Sequence, residues 1–272
     1  MRDPISLKPI GVVHTSVNDA RAMPRGGLPA TIEVYPEYAL GLTQIEDNSH
    51  IVVVAWLHQA EQDVLKMERM LSYKEDEDNP GVFATRIPAR PNPIGVSTAR
   101  IEKVEGNTIH LACLDLIDGT PVLDIKPHSS GFDGVFASRS ARDVKRLRFR
   151  DEAKELASLV REAENFHGEY CRGIALGARM VHHARVTFGI AQKDAELRVS
   201  LGDDGCIADA LQGLSGATLG NGRLRLSMSP NFSLVYQDKR LRFLVKRVTP
   251  STPEEVLKVD ISALFTVQEG PA

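Results

Sequence analysis

The sequence has few of the features that mark membrane, disulfide-bonded and nucleic-acid-coating proteins. No apolar run in its 272 residues approaches the roughly 20 residues that a membrane-spanning helix needs. It contains only three cysteines, Cys113, Cys171 and Cys206, an odd number that does not indicate a disulfide framework. The formal net charge is −3, so bulk positive charge cannot coat a nucleic acid, although a local basic patch stays compatible with RNA binding.

The chain does contain enough apolar sequence to bury a core. Hydrophobic residues make up 42% and charged residues 25% of it, which is typical of globular domains. The length suits one large domain or two ordinary ones. Residues 1–10 are too polar, and too interrupted by proline, for a secretory signal. We therefore expect a cytoplasmic protein that does not insert into a membrane.

The first half of the chain has the pattern of a β-rich domain. Residues 51–57 form a nearly continuous apolar run typical of a buried strand, and Glu105-Gly106-Asn107 separates two alternating runs as a hairpin turn does. One helix is predicted, over 62–70. These patterns predict a mainly β domain, either a small antiparallel barrel or a strongly curved sheet. The predicted strands cover 10–14, 31–35, 51–57, 96–104 and 108–116.

The character of the sequence changes after Phe136. Six arginines and lysines fall within 139–150, and an amphipathic helix pattern follows over 151–164. We predict a β domain at 1–138, a basic linker at 139–150 and a second domain at 151–272. The basic segment is either an ordinary linker or a strip that contacts phosphates.

The second domain is predicted to be α+β. Its second helix pattern covers 174–188, and short strand patterns follow it. These predicted strands cover 197–201, 224–228, 232–236 and 241–248.

The densest local signal is a proline-rich segment, Thr85–Ser97. Proline fixes φ near about −65° and removes a backbone donor, and it pushes the preceding residue toward extended conformations. The segment is therefore expected to be a rigid, irregular ribbon that cannot form a central strand. Arg86 and Arg90 on this ribbon could make forked bonds to a carboxylate or a phosphate. Alternatively, the ribbon only stiffens the edge of the domain.

A second segment combines a turn with ionisable groups at strand ends. Asp118-Gly119-Thr120-Pro121 is a tight turn by its chemistry, and Asp118 could simply cap it. Asp115, Asp124 and Lys126 flank the turn. Two further stretches, Met23–Gly27 and Trp56–Gln59, complete the pattern.

Together these four stretches resemble the TsaA family, also called TrmO, from about residue 5 to residue 136. The resemblance implies a small β-barrel methyltransferase of the TsaA type that uses S-adenosylmethionine. It also implies a homodimer with cofactor sites near the subunit interface. Members of the family methylate N6 of threonylcarbamoyl-adenosine in tRNA, which makes tRNA the expected partner.

The resemblance also assigns a cofactor pocket. Arg86 is expected to pair with the methionine carboxylate, while the turn backbone and Asp118 are expected to hold the amino or adenosine end. The family usually has glutamine where Gly26 stands, so one side-chain amide is missing. The residues assigned to the pocket are Pro24, Arg25, Gly26, His58, Gln59, Arg86, Val96, Asp115, Leu116, Ile117, Asp118 and Gly119.

Asp124 and Lys126 are the candidate catalytic residues. Aligning the nucleophile with the methyl group and the sulfur supplies much of the rate of methyl transfer. An N6 nitrogen conjugated to a carbonyl is a poor nucleophile until it loses its proton, so a general base would help. We predict Asp124 as that base, with Lys126 stabilising negative charge as it develops. The alternative is a structural ion pair at the barrel rim.

His167, Cys171 and Cys206 are candidate metal ligands in the second domain. His167 and Cys171 are four positions apart, and imidazole and thiolate both suit zinc. With Cys206 they would form a three-ligand site with one open position. Buried thiols and a capping histidine are the alternative.

The second domain resembles the FmdE family over about 152–236, through Phe166–Gly173 and the stretches after Asp204 and Gly213. Domains of that family are associated with a bound metal, often zinc. Glu169, Arg172 and Ala217 stand where the family has its second histidine, a proline and its third cysteine. Glu169 could replace a ligand, since carboxylates also bind zinc.

Three functions follow from these patterns. The first is a tRNA methyltransferase with an accessory metal-binding domain. The second is a methyltransferase of small molecules, which Ile87 and His128 favour, because the family often has serine and tyrosine at these positions near the substrate face. The third is a non-catalytic sensor of the cofactor and a metal.

Overall fold

The computed structural model describes residues 5–24, 26–65, 81–135, 138, 152–227 and 229–272. The chain divides into two compact units, Met1–Gly134 and Val135–Ala272. The predicted basic linker at 139–150 lies outside the described residues, so the division into three segments stays a prediction. Within the described residues, none of the helices is both long and apolar enough to cross a membrane.

The first unit is a closed antiparallel barrel, as the alternating patterns predict. Its strands pair in the order β1-β2-β5-β4-β3-β6. The turn at 106–107 joins β4 to β5, and Gly106 has φ +61° there. A short helix, α1, covers Ser130–Asp133. The strands are β1 Gly11–His14, β2 Leu28–Val34, β3 His50–Trp56, β4 Ile94–Glu105, β5 Thr108–Leu114 and β6 Pro121–Pro127.

The barrel core uses every second residue of its strands, because neighbouring side chains of a strand point to opposite faces. In β3, Ile51, Val53 and Ala55 are fully buried, whereas Val52 and Val54 between them face outward and are half-buried. Only one face of this apolar strand therefore points into the barrel core. Its other face gives the barrel a partly exposed apolar outer surface.

One local prediction for this unit is wrong in its bounds, and a second is wrong in the part that the structure describes. The proline-rich ribbon ends sooner than predicted, because β4 begins at Ile94 and residues 94–97 already pair with β3, whereas pairing with β5 begins at Ile101. No proline follows Pro93 in β4, so each later residue of the strand can donate to the ladder. The helix predicted over 62–70 is absent from residues 62–65, where Gln62 instead bridges to Arg90. Residues 66–70 lie outside the described residues.

The second unit is α+β, as predicted. Three long helices, α2, α3 and α4, pack together, with a five-stranded sheet in the order β11-β10-β9-β7-β8. The sheet is antiparallel except for the pairing of β7 with β8. Its elements are α2 Glu152–His167, α3 Arg172–Phe188, β7 Arg198–Leu201, α4 Gly205–Ser215, β8 Leu224–Leu226, β9 Phe232–Tyr236, β10 Lys239–Val245, α5 Pro253–Lys258, α6 Ile261–Leu264 and β11 Phe265–Pro271.

Small residues let α3 approach α4 closely. A Cβ on Gly177 would lie 2.4 Å from the Cβ of Ala210, and one on Gly173 would lie 2.3 Å from the Cβ of Cys206. Larger residues at these glycines would push the helices apart. This close contact brings the start of α4 beside the start of α3, and so Cys206 beside Cys171.

Candidate functional site

Loops at one end of the barrel bring together residues that are distant in sequence. Gly27 has φ +77°, and a Cβ there would lie 2.6 Å from the carbonyl carbon of Leu114 and 2.9 Å from the nitrogen of Asp115. Its N–H donates to the carbonyl of Pro24 at 2.9 Å. The Pro24–Gly27 turn is thus pressed against the end of β5, which requires glycine at position 27. Arg25, predicted to line the pocket, lies outside the described residues.

Asp115 connects this turn to the start of β4. The hydroxyl of Ser97 donates a short hydrogen bond to Oδ1 of Asp115. The neighbouring Val96 is 46% exposed, and its carbonyl accepts a hydrogen bond from Nη2 of Arg86 at 2.9 Å. We call Gly27, Asp115, Ser97, Val96 and Arg86 the barrel-end cluster, because each member contacts or adjoins the next.

The two arginines of the proline-rich ribbon have different environments. Arg86 is exposed and its bond to Val96 uses one of the five N–H donors of a guanidinium. Nη2 of Arg90 instead donates to the carbonyls of Val82 and Thr85 at 3.0 and 3.1 Å, and its backbone N–H donates to Glu61. Arg90 therefore holds the ribbon together, and Arg86 keeps donors for a ligand.

Gln59 joins the loop after β3 to the loop after β1. Its Nε2 donates to the carbonyl of Asn18 at 3.0 Å. His58 immediately before it is exposed. Both residues are on loops at the same end of the barrel as the cluster, and Gln59 has a structural contact there.

The turn between β5 and β6 holds the loop after β1 in place through hydrogen bonds. Oδ1 of Asp118 accepts the N–H of Thr15 at 3.1 Å and lies 3.7 Å from Nδ1 of His14. The N–H groups of Asp118 and Gly119 donate to the carbonyls of Val17 and Val13. These bonds tie the turn to the loop after β1, and the Asp118 carboxylate contacts that loop rather than capping its own turn.

Leu116 and Ile117 precede this turn and are 5% and 8% exposed. Leu116 belongs to the hydrophobic core of the barrel. Both residues are therefore packed in the protein, and their side chains do not line an open pocket.

Asp124 and Lys126 form an ion pair on the outer surface of β6. Nζ of Lys126 lies 2.6 Å from Oδ2 of Asp124, and their side chains are 64% and 47% exposed. The hydrogen bond from Lys126 to Asp124 raises the pKa of the lysine, which keeps it protonated. The pair is the arrangement that the structural alternative predicts, and it is also accessible to a large substrate.

A bulge sets the position of Asp124. Val54 faces Asp124 but Ala55 faces Val122, so β6 carries one extra residue at this point. Such bulges often redirect side chains near active sites. Val54 also faces Val96 of the barrel-end cluster, so Asp124 lies two strands, about 10 Å, from the cluster across the outer surface.

The second unit contains a compact His-Cys-Cys group. His167 ends α2, Cys171 is the N-cap of α3, and Cys206 is in the first turn of α4. Their ligand atoms all lie within 4.8 Å of one another, within about 1 Å of what tetrahedral zinc requires. The start of a helix favours negative charge, which suits thiolates at the starts of α3 and α4. The predicted three residues are thus brought together in a geometry that fits a metal.

Asp209 completes the group and was missed as a site residue. Its Oδ2 lies 2.9 Å from Nδ1 of His167, which leaves Nε2 of the imidazole for a ligand. A carboxylate bound to a metal-ligating histidine is a common way to fix its orientation. Its signal in the sequence is its spacing, since Cys206 and Asp209 are three positions apart on α4 and share one helix face.

Burial and the neighbouring thiol favour the protonated form of Cys206. Burial first, and then the hydrogen bond with Cys171, raise the pKa of Cys206 to about 11. A cation would reverse this balance, because metal ligation deprotonates a thiol. The preference for the neutral thiol is therefore a property of the two cysteines by themselves.

The three residues that differ from the FmdE pattern do not belong to the His-Cys-Cys group. Glu169 is exposed and is not one of the grouped residues, so it does not replace a ligand in this arrangement. Arg172 points to the segment before α5, donating to Thr249 and to the carbonyl of Pro250. Ala217 follows the far end of α4, about 15 Å from Cys206 by helix length. Alanine in place of cysteine at this position therefore does not remove a ligand from the His-Cys-Cys group.

Comparison with known families agrees with the two folds. Residues 12–134 match the family described as the tRNA-methyltransferase O N-terminal domain. Residues 166–262 match the FmdE family, described by the molybdenum formylmethanofuran dehydrogenase operon. Both matches confirm the resemblances seen in the sequence.

Similar proteins carry names that concern S-adenosylmethionine. A "probable S-adenosyl-L-methionine-binding protein" of Archaeoglobus fulgidus is 34% identical over 235 residues, which cover 81% of this chain and 60% of the relative. One of Pyrococcus abyssi is 40% identical over 134 residues, covering 47% of this chain and 71% of the relative. A crystal structure of TrmO from Pseudomonas aeruginosa is 22% identical with a TM-score of 0.43, covering 90% of this chain and 94% of that one.

A closed six-stranded barrel with its clustered loops, followed by an α+β unit with a His-Cys-Cys group, defines a two-domain protein of known family types. The chain belongs to the family of the tRNA-methyltransferase O N-terminal domain and carries an FmdE domain after it. It spans less than two thirds of the Archaeoglobus relative's length.

Proposed function

We propose that the protein is an S-adenosylmethionine-dependent methyltransferase that acts on N6 of threonylcarbamoyl-adenosine in tRNA. Membership of the tRNA-methyltransferase O family and the names of the relatives support the methyl donor. The observation that carries the proposal is the barrel-end cluster. It joins four separate parts of the barrel, and three of its members, Arg86, Val96 and Asp115, are residues that the family resemblance assigns to the cofactor.

The cluster has the charges that the methyl donor requires. S-adenosylmethionine carries a carboxylate and two positive centres, its ammonium and its sulfonium. Arg86 offers unused guanidinium donors to the carboxylate, and the exposed Asp115 offers a carboxylate to a positive centre. Gly27 lets the Pro24–Gly27 turn pack closely against the backbone of Leu114 and Asp115, beside this carboxylate. The residues present therefore fit this ligand.

The donor supplies a methyl group that its sulfonium has already activated. The chain's own task is to orient the acceptor and handle its proton. In our proposal Asp124 accepts the N6 proton at a carboxylate oxygen, and Lys126 stabilises the negative charge that then develops on the acceptor. Both side chains are open to solvent on the barrel surface, which suits an acceptor as large as tRNA.

A homodimer is part of the same proposal. The outward residues of β3 and β4 make an apolar surface beside Asp124 and Lys126, including Val54, Trp56 and Val96. Covering this surface with a second copy would enclose the barrel-end cluster. Sedimentation of the full chain tests this directly: a monomer at micromolar concentration contradicts it.

We also propose that the second unit binds zinc through His167, Cys171 and Cys206. Two thiols and an imidazole are ligands that zinc prefers. Asp209 on the imidazole supports the assignment further. Three protein ligands would leave one position open, as the spacing predicts.

The test is transfer of a labelled methyl group from S-adenosylmethionine. The full chain is incubated with tRNA that carries threonylcarbamoyl-adenosine, and separately with tRNA lacking that modification and with a small-molecule extract. Label confined to the modified tRNA supports the proposal. Label only in small molecules contradicts the tRNA acceptor and supports the second interpretation of the sequence.

Variants separate binding from chemistry. Asp124→Asn is expected to bind the methyl donor like wild type and to transfer methyl groups about 100-fold more slowly, the usual scale of general-base loss. Lys8→Gln, an exposed cation before the barrel, is the control. Donor binding without any transfer to either class of acceptor supports the sensor interpretation instead.

A further inference from the structure

In the part of the chain that the structure describes, the sheet of the second unit packs its helices against one face. In β10, Leu241 and Phe243 are buried in the hydrophobic core with the helices, while Arg240, Arg242 and Leu244 between them point to the opposite face. In β9 the same alternation buries Phe232 and Leu234. The alternation therefore gives these strands a second face that points away from this core.

Strand register collects four arginines on this outward face. One row across the sheet holds Arg198 of β7 and Arg240 of β10, on either side of Val235 of β9. Residues directly opposite in paired strands share a face, so both arginines point the same way.

A second row contains the other two arginines and their polar neighbours. It runs from β8 to β11 through five residues. In order these are Arg225, Ser200, Ser233, Arg242 and Gln268. We call the four arginines Arg198, Arg225, Arg240 and Arg242 the arginine face.

The arginine face has no acidic residue in either row. Within the described parts of the chain, none of its four guanidinium groups is paired with a carboxylate; Arg198 donates to the carbonyl of Gln237 at 3.4 Å. The nearest acidic residue of β11, Glu269, faces Leu241 and so lies on the helix side of the sheet. In a chain with a net charge of −3, this surface is a local concentration of positive charge.

We propose that the arginine face binds the phosphate backbone of RNA. Guanidinium groups bind phosphate with paired hydrogen bonds. Ser200, Ser233 and Gln268 supply further donors between them, as in phosphate and sugar contacts generally. No aromatic side chain lies in the two rows, so bases are not stacked and binding is independent of sequence.

Charge and shape argue against other occupants. A second copy of the same face would place like charges against one another, which is unfavourable. A membrane surface would require apolar residues that enter the lipid, but Leu244 is the one large apolar side chain exposed on this face of the described strands, at 44%. A long polyanion is the partner that the charges fit.

Binding of the full chain to a fluorescent tRNA, and to an unstructured oligoribonucleotide, is measured by anisotropy at several salt concentrations without any methyl donor. The charge-removing variant is Arg240→Ser with Arg242→Ser. The control is Lys239→Ser with Lys258→Ser, which removes the same charge: Lys239 is on the opposite side of the same strand and Lys258 ends α5. A thermal melt of each variant verifies folding.

We expect the arginine variant to bind both RNAs on the order of tenfold more weakly at low salt. Its slope of log K against log salt should fall by about 1.4–1.8, from about 0.7–0.9 for each lost phosphate contact. The lysine control should stay near wild type. An unchanged arginine variant, or an equal loss in the control, overturns the proposal. So does binding to phosphatidylserine vesicles through these arginines without RNA binding.

The proposal does not rest on the methyl-transfer assignment. RNA binding through the arginine face, together with failure to methylate the RNA, would leave it standing and overturn the proposed acceptor. Methyl transfer to tRNA that does not depend on these arginines would support the proposed acceptor and overturn RNA binding through the arginine face.

Discussion

At the scale of single residues, Gly27 sets the close contact that shapes the barrel-end cluster. Its φ of +77° and the 2.6 Å distance from a built Cβ to Leu114 both exclude a side chain. Gly27→Ala should therefore cost about 1–2 kcal/mol for the backbone conformation alone, and displacing the loop should weaken S-adenosylmethionine binding. Calorimetry of donor binding measures the second effect.

Gly106→Ala is the matched control for Gly27. It also has a positive φ, +61°, but a Cβ there would meet nothing within 4 Å. Gly106→Ala should lower the free energy of unfolding through its backbone conformation and leave S-adenosylmethionine binding unchanged. Equal losses of binding in both variants would mean that the close contact at Gly27 is not what shapes the site.

Asp209 acts on the proposed metal through His167. Removing a carboxylate that orients a ligand typically lowers metal affinity about 10–100-fold. Asp209→Ala should show this loss in competition with a zinc chelator, whereas Asp203→Ala, exposed before α4, should not. If Asp209→Ala binds zinc as tightly as wild type, the hydrogen bond to His167 has no orienting role.

At the scale of elements, α2 and α3 are joined by a buried ion pair. Glu155 and Arg185 have side chains only 10% and 6% exposed and are in direct contact. Removing one partner of a buried pair leaves an uncompensated charge and costs about 3–5 kcal/mol. Glu155→Gln should reduce the free energy of unfolding of the second unit by that amount, measured by urea denaturation.

Glu162→Gln on the same helix is the control for Glu155→Gln. Glu162 pairs with Lys193 at 2.6 Å, but its side chain is 38% exposed. Solvent screening limits such a pair to about 0–1 kcal/mol. A comparable loss in both variants would contradict the importance of burial.

His182 makes the packing of the same two helices sensitive to acid. Burial lowers its pKa, more strongly than the nearby Glu155 and Glu152 raise it. The unfolded chain therefore binds more protons than the folded one as the pH falls through the ordinary pKa of histidine, and stability decreases.

The free energy of unfolding should fall between about pH 7 and pH 5, since the ordinary pKa is near 6.5. The fall should be smaller in His182→Asn and unchanged in His58→Asn, because His58 is exposed on a barrel loop. Denaturant titrations at several pH values measure the free energy of unfolding of each variant. An identical pH profile in His182→Asn would exclude His182 as a cause.

At the scale of the whole molecule, the metal should contribute to stability. A ligand that binds only the folded chain stabilises it by an amount that grows with its concentration. Chelation should lower the melting temperature of the wild-type chain, and Cys206→Ser should already melt low and no longer respond to chelator. If neither chelator nor added zinc changes the melting temperature of the wild-type chain, the zinc proposal is contradicted.

Both fold classes could be predicted from the sequence, because alternation and helical periodicity report directly on burial. The run at 51–57 located β3, and the Gly-Asn pair located the β4–β5 hairpin. Predictions failed where partners distant in sequence decide the structure. Gln62 bridges to Arg90 instead of starting a helix, and β11, in which four of seven residues are polar or glycine, forms because β10 pairs along its whole length.

The candidate sites were predicted unevenly for the same reason. The metal group follows from a spacing and one further cysteine, and the structure brings all three residues together. The role of Asp209 depends on α2 lying against α4, which no local pattern contains. The arginine face was missed because its members, Arg198, Arg225 and the pair in β10, share a surface only through strand register.

The grouping of Cys171 and Cys206 at two helix starts also concerns the unfolded chain. The residues are 35 positions apart (206 − 171), so an ion held by both would act as a removable cross-link that closes a loop containing all of α3 and β7. The entropy that such a closed loop takes from the unfolded ensemble grows only slowly with its length. The supply of metal would then set how readily this half of the chain opens to proteases, with no change in the folded structure itself.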